Sequence, residues 1–217
     1  NDIRGGGHFS ARLTTGLVAA GVIAKRIASP ATFEAAVVEV GGRSDIENAV
    51  DEALGADDSV GGLVVCTGKN IRAGLGEPYF DKFDALLGHI LFAVPAVKAV
   101  EFGAGTNAVS MRGSQHNDRI LAEDGTTATN NAGGIVGGIS NGNDLVVKVT
   151  FKPTSSIGIP QETFNFSKKH MDTLVVEGRH DACVALRAPV IVEACAAIVT
   201  ADLMLISKMY DLKGEEL

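Results

Sequence analysis

Apolar positions along the chain follow two rhythms, one near 3.6 residues and one near 2, and they alternate from one end to the other. Residues 13–28 read as a helix in which Val18, Val22 and Ile23 supply apolar contacts, while Gly16 and Gly21 allow a close approach to a neighbour. Pro30 ends it. Residues 33–40 predict a strand, although their alanines suit a helix as well. Ser44-Asp45-Ile46-Glu47 has the form of a capping box and opens a helix to Leu54, with Ile46, Val50 and Leu54 on one face. Residues 59–67 predict a second strand. Gly74 to Pro78 form a rigid turn into a helix over 80–92, whose Phe83, Leu86, Leu87 and Ile90 are expected to bury against a sheet. Strands follow at 97–102 and at 145–151, the latter interrupted by Lys148, and shorter ones at 162–166 and 172–176. A long helix is expected over 184–209. Its most apolar run, 188–206, includes Pro189, Glu193 and Asp202, which points to a core helix rather than a membrane span. Residues 122–131 are polar and predict a mobile loop.

A 217-residue chain can bury a core as one large or two small domains, and its mixed short strands and helices suit a layered α/β or α+β protein. The 26 glycines supply tight turns, and the aliphatic content argues against disorder. A formal net charge of −7 argues against broad nucleic-acid binding. Within that acidic chain, Arg4, Arg12, Arg112, Lys152 and Arg179 stand beside glycines or hydroxyls, the pattern of a local anion site. Three cysteines, Cys66, Cys183 and Cys195, sit in apolar surroundings and read as reduced, buried thiols of a cytosolic protein, with no metal site.

Four stretches concentrate the chemistry. In 133–157, Gly133, Gly134, Gly137 and Gly138 allow a flat or anionic ligand to approach backbone, and Lys152 leaves the following strand beside Thr154, Ser155 and Ser156. One cation and three hydroxyls can clamp a phosphate or carbonyl, though a surface hairpin with a solvated lysine gives the same pattern. In 4–12, glycines, a hydroxyl and two arginines precede a helix, where an anion can bind or Ser10 can act as a cap. Gly103-Ala104-Gly105-Thr106-Asn107-Ala108 approaches a dinucleotide fingerprint, with Glu123 near the distance of a ribose contact. The polar segment after it favours a structural glycine turn. Finally, Arg179, His180 and Asp181 precede the long helix and can form an acid–base cluster or caps and ion pairs.

Seven segments in fixed order resemble the chorismate synthase family: RGGGHFSAR (4–12), AGLGEP (73–78), PAVKAVEFGAG (95–105), RGSQHND (112–118), TNNAGGIVGGISNG (129–142), FKPTSSI (151–157) and GRHDACVALRAPVIVEA (178–194). The resemblance spans nearly the whole chain. It implies a single α+β domain over residues 1–217, built as a layered β-α-β sandwich of antiparallel or mixed sheets and helices, a homotetramer, a cytoplasmic location and no membrane association. The implied activity is 1,4-elimination of phosphate from 5-enolpyruvylshikimate 3-phosphate to give chorismate, with reduced FMN as cofactor.

Carried over by position, the resemblance implies flavin contacts at His8, Phe9, Ser10, Pro95, Ala96, Gly137, Lys152, Pro153, Thr154, Ser155, Ser156 and Arg179. It implies substrate contacts at Arg12 and Arg179, and a part in proton transfer for Asp181, with His180 a weaker candidate. His8-Phe9-Ser10 stands where the family commonly has Arg-Ser-Ser, which weakens an anion contact near neutral pH. The family also carries about a hundred residues ahead of the first segment matched here, by its usual domain size, with two catalytic histidines among them. None of the five histidines of this chain falls in the matching motif, so poor turnover is expected of these residues alone. Two alternatives are a non-catalytic FMN- or phosphate-binding module and a nicotinamide-dependent oxidoreductase built on Gly103–Ala108.

Overall fold

The computed structural model describes residues 4–178 and 180–214. Four strands, β1 (Thr32–Val40), β2 (Gly62–Lys69), β3 (Val97–Phe102) and, after the short pair β4 (Ile135–Val136) and β5 (Ile139–Ser140), β6 (Leu145–Phe151), supply the main sheet. Its order is β1-β2-β6-β3 and every pairing is antiparallel. The register stacks Phe33, Gly68 and Leu145, then Ala35, Cys66 and Val147, then Val37, Val64 and Val149. Because side chains alternate along a strand, one face therefore collects Val64, Cys66, Val147 and Val149, all fully buried. A bulge between Val37 and Glu39 shifts the alternation by one residue and keeps Val40 on that face.

Helices cover this apolar face. They are α1 (Thr14–Ile27), α2 (Ile46–Gly55), α3 (Phe83–Ala93) and α5 (Pro189–Gly214), while the single turn α4 (Gly113–His116) buries none of its residues. α5 lies across β1 and β2 and packs against α1 and α3. Pro189 begins it, where a missing N–H costs nothing. By length and composition α5 could cross a membrane, yet Val192, Cys195, Ala196, Ala197 and Thr200 are fully buried in this fold. Its Glu193 accepts from Lys25 Nζ (2.6 Å) and from the Ala35 N–H (3.0 Å), tying α1 and β1 to α5. A separate hairpin, β7 (Gln161–Asn165) with β8 (His170–Leu174), pairs within itself and makes only sparse contacts elsewhere. The architecture is the α+β arrangement of antiparallel strands and helices that the resemblance implies.

Several local expectations change. On α1 the buried residues are Thr14, Gly21 and Ala24, whereas Val22 and Ile23 are exposed. A Cβ on Gly21 would lie 2.5 Å from Ala194 Cβ, so backbone-close packing turns the large residues outward. Gly16 has open space around it and does not serve that contact. The helix expected from Ser44 starts at Ile46 with Asp45 as N-cap and no side-chain cap bond; Ala49 and Ala53 are its buried residues, and Leu54 is exposed. The second strand begins three residues later than expected, at Gly62.

The polar 122–131 loop is organised rather than loose. Asp118 accepts from Thr129 Oγ1 (2.6 Å) and from the N–H groups of Asn131 (2.8 Å) and Ala132 (2.9 Å). Asn143 Oδ1 accepts from the Thr127 N–H (3.1 Å), and Asn143 Nδ2 donates to Gly125 O (3.1 Å). Gly103–Ala108 is a glycine turn leading to a 3-10 helix, Gly105–Ser110, held by the Ala104 N–H on Asn131 O at 2.8 Å. The strand before it belongs to an antiparallel sheet, not to the parallel βαβ unit that a dinucleotide fingerprint requires.

Candidate functional site

The residues around Ser10 are shaped by their own hydroxyls. Ser10 caps a 3-10 turn, Ala11–Leu13, by accepting from the Arg12 N–H at 3.3 Å. Thr14 Oγ1 donates to Ala11 O (2.6 Å) and Thr15 Oγ1 to Arg12 O (2.8 Å), so the turn runs into α1 without a free hinge. Beside it opens a cavity of about 460 Å³ whose walls include Ser10, Arg12, Pro95, Phe151, Asp181 and Arg187. Four separate parts of the sequence meet there: the start of α1, the turn before β3, the end of β6, and the segment leading into α5.

The 152–156 segment follows Phe151, the residue of β6 that lines the cavity. The Lys152 N–H donates to Ala96 O at 2.9 Å, joining the exit of β6 to the Pro95-Ala96 turn. Ala96 has φ +73°, a left-handed conformation that L-residues other than Asn and Asp adopt at a cost. Lys152 Nζ donates to Pro153 O (3.0 Å) and to Ser155 Oγ (3.3 Å). Ser59 Oγ donates to Thr154 O (2.6 Å) and pins the loop from below. Among the described residues, the buried Thr154 Oγ1 has no hydrogen-bond partner. Ser156 is half-buried at the end of this loop.

Asp181 and Arg187, both in the cavity wall, form an ion pair, Oδ1 to Nη2 at 2.6 Å, with side chains 42% and 73% exposed. Arg187 ends a 3-10 turn, Val184–Arg187. His180 Nε2 lies 2.8 Å from Val176 O, so its ring is engaged with its own loop. His8 and Phe9 are exposed in the 3-10 segment before Ser10, Phe9 at 82%. Arg179 lies outside the described residues.

Gly137 is placed elsewhere. Gly137 and Gly138, at φ +63° and +88°, form the two-residue turn between β4 and β5, the left-handed pair such hairpins require. Gly133, just ahead of this hairpin, accepts from the Val146 N–H at 3.1 Å at the start of β6, whereas Lys152 leaves its far end. Six residues of strand separate Val146 from Lys152, about 20 Å at 3.3 Å per residue. Gly137 borders a second hollow of about 710 Å³, with Phe102, His116, Asp118, Asn131 and Ile135 in its walls. The structure thus gathers Ser10, Arg12, Pro95 and Asp181 around one cavity, joins Lys152 to Ala96, the neighbour of Pro95, by a backbone hydrogen bond, and sets Gly137 beside the other hollow.

Burial raises the Cys66 and Cys195 thiols to about 12 and raises Cys183 as well, so all three are buried, free and unreactive. Among the described residues no group of three or more His, Cys, Asp or Glu is arranged to hold a metal ion. Arg187 is the site residue that sequence reasoning passed over. It lies six positions after Asp181 across an irregular segment, where no helical or strand period links the two, and its motif marked it only as part of a string.

Comparison with known proteins bears on the family and the fold. The family model described as chorismate synthase matches residues 1–205. A chorismate synthase of Chitinophaga pinensis is 51% identical over 208 residues, covering 95% of this chain and 63% of the relative. One from Archaeoglobus fulgidus is 43% identical over 237 residues, covering 94% of this chain and 65% of the relative. The chain therefore spans just under two thirds of the length of these curated relatives. A crystal structure of a chorismate synthase superimposes with a TM-score of 0.75 at 24% identity, covering 91% of this chain and 65% of that one, and so shares the fold. The chain belongs to the chorismate synthase family.

Proposed function

We propose that this chain supplies the flavin- and phosphate-binding frame of a lyase that eliminates phosphate from 5-enolpyruvylshikimate 3-phosphate to give chorismate. The observation that carries the reading is the meeting of Ser10, Arg12, Pro95 and Asp181 around one cavity, with the Lys152 loop bonded to Ala96, the neighbour of Pro95.

The residues fit FMN on two grounds. The orphaned Thr154 hydroxyl needs a partner that an anionic oxygen would supply, and Lys152 Nζ and Ser155 Oγ are already within 3.3 Å of each other. The strained Ala96 turn is fastened to the same loop, so a flat ligand would meet backbone held in place rather than a flexible chain. When bound, reduced FMN supplies electron density that assists departure of the phosphate. Lys152 and the hydroxyls of Thr154, Ser155 and Ser156 bind and orient the flavin. Arg12 offsets negative charge on the substrate. Asp181 accepts or relays the ring proton from the cavity wall, with no step requiring a metal. A homotetramer acting in the cytoplasm is the assembly and location in keeping with the family.

These 217 residues alone are expected to turn over slowly, since none of their histidines stands where the resemblance places the catalytic pair. The test is anaerobic incubation with reduced FMN and substrate, following phosphate release, beside the full-length Chitinophaga pinensis relative. Saturable FMN binding with turnover far below the relative is expected. Absence of FMN binding, or turnover equal to the relative, would overturn the reading.

A further inference from the structure

Asp181 and Arg187 both line the cavity, yet each is turned toward the other at 2.6 Å. An ion pair this exposed holds weakly, because water and salt screen it and two side chains must be ordered to make it. Arg187 projects from the last residue of a 3-10 turn with most of its surface open, and a guanidinium offers five N–H donors in a fork that matches phosphate or carboxylate. Arg12 stands on another wall of the same cavity. Two arginines from separate elements around about 460 Å³ suit a small ligand with more than one anionic group.

The geometry points to Arg187 as an anion-recognising residue of this cavity whose resident counter-ion is Asp181: an incoming phosphate or carboxylate takes the guanidinium and releases the Asp181 carboxylate into the cavity. The inference rests on the reading of the cavity as the ligand site, and it adds an order of events. The acid–base group is held by Arg187 while the cavity is empty and becomes available only when an anion has arrived. A ligand without an anionic group reaching Arg187 leaves Asp181 paired. The pair then selects for charge before any proton moves.

The experiment titrates inorganic phosphate into the chain at low ionic strength and follows the Arg187 Nε–Hε resonance by NMR. Asp181→Asn removes the competing carboxylate, so phosphate affinity read at Arg187 is expected to rise about two- to fivefold, in the range of an exposed pair. Arg187→Gln is expected to weaken binding, read at the Arg12 resonance, by about tenfold or more. Arg187→Lys, which keeps the charge without the fork, should fall between. A Lys152→Ala background keeps phosphate at the other loop from confusing the result, and folding of each variant is checked by its amide spectrum. If Asp181→Asn leaves phosphate affinity unchanged or lowers it, or if Arg187→Lys and Arg187→Gln both bind as the parent does, the inference is overturned. FMN titration of the parent chain is scored separately. Phosphate behaving as described without FMN binding would sink the flavin reading alone, and FMN binding with unaltered phosphate affinities would sink this one.

Discussion

The N–H of Lys152 donates to the carbonyl of Ala96 at 2.9 Å, joining the exit of the central strand β6 to a turn whose backbone is left-handed. Because Ala96 sits at φ +73°, only a small side chain is tolerated there. Ala96→Val is expected to lower stability by about 1–2 kcal/mol and to weaken FMN binding with it. Ala96→Gly should do neither. Urea unfolding and flavin fluorescence on the two variants check this; equal effects would mean the turn is not under strain.

Lys152 supplies the cation of the 152–156 loop. Lys152→Ala should weaken FMN by about 1.5–3 kcal/mol, the range for a hydrogen bond to a charged group. Thr154→Val tests the orphaned hydroxyl in the same loop: it should cost FMN affinity while leaving the stability of the empty chain unchanged or slightly higher, since a buried unpaired group is removed. Fluorescence titration and thermal melts separate the two effects.

α1 reaches α5 through Gly21, where an added Cβ would lie 2.5 Å from Ala194 Cβ. Gly21→Ala is therefore expected to destabilise by about 1–3 kcal/mol through overpacking. Gly16→Ala, on the same helix with open space around it, should stabilise by about 0.5–1 kcal/mol. Opposite signs in a denaturant series are the expected outcome.

Asp118 fastens the loop beside the second hollow. Burial pushes its carboxyl upward, but hydrogen bonds from Thr129, Ala132 and Asn131 outweigh this and hold it below the ordinary 3.8. A group depressed on folding favours the native state when ionised. Its contribution is therefore complete above about 3.8 and is lost as pH falls through the lower folded value. Protection of the Asn131 and Ala132 amides, taken relative to their intrinsic exchange rates, should hold at pH 5 and be lost as pH falls below the ordinary 3.8, and Asp118→Asn should remove that dependence.

Two strands were legible from their short apolar runs: β3 and β6 match their predicted spans residue for residue. α1 was legible as a helix but not in its orientation. A periodicity argument ranks Val22 and Ile23 above Gly21 and Ala24, yet the close approach to Ala194 reverses that ranking. The 122–131 loop escaped for a related reason. Its order comes from side chain–backbone bonds to Asp118 and Asn143, long-range partners that leave no local pattern. Ser10, Arg12, Pro95 and Asp181, far apart in sequence and linked there only by motif order, line one cavity, while the place of Gly137 depends on strand length and on which end of β6 each loop leaves.

If the Ser10–Lys152–Asp181 region, and not the hollow beside Gly137, receives the flavin phosphate, amide shift changes on adding FMN to the isotopically labelled chain will show it. The largest changes are then expected at Ser10, Ala96, Lys152–Ser156 and Asp181. Changes confined to Gly137, His116 and Asn131, with the Lys152 loop unmoved, would contradict this placement.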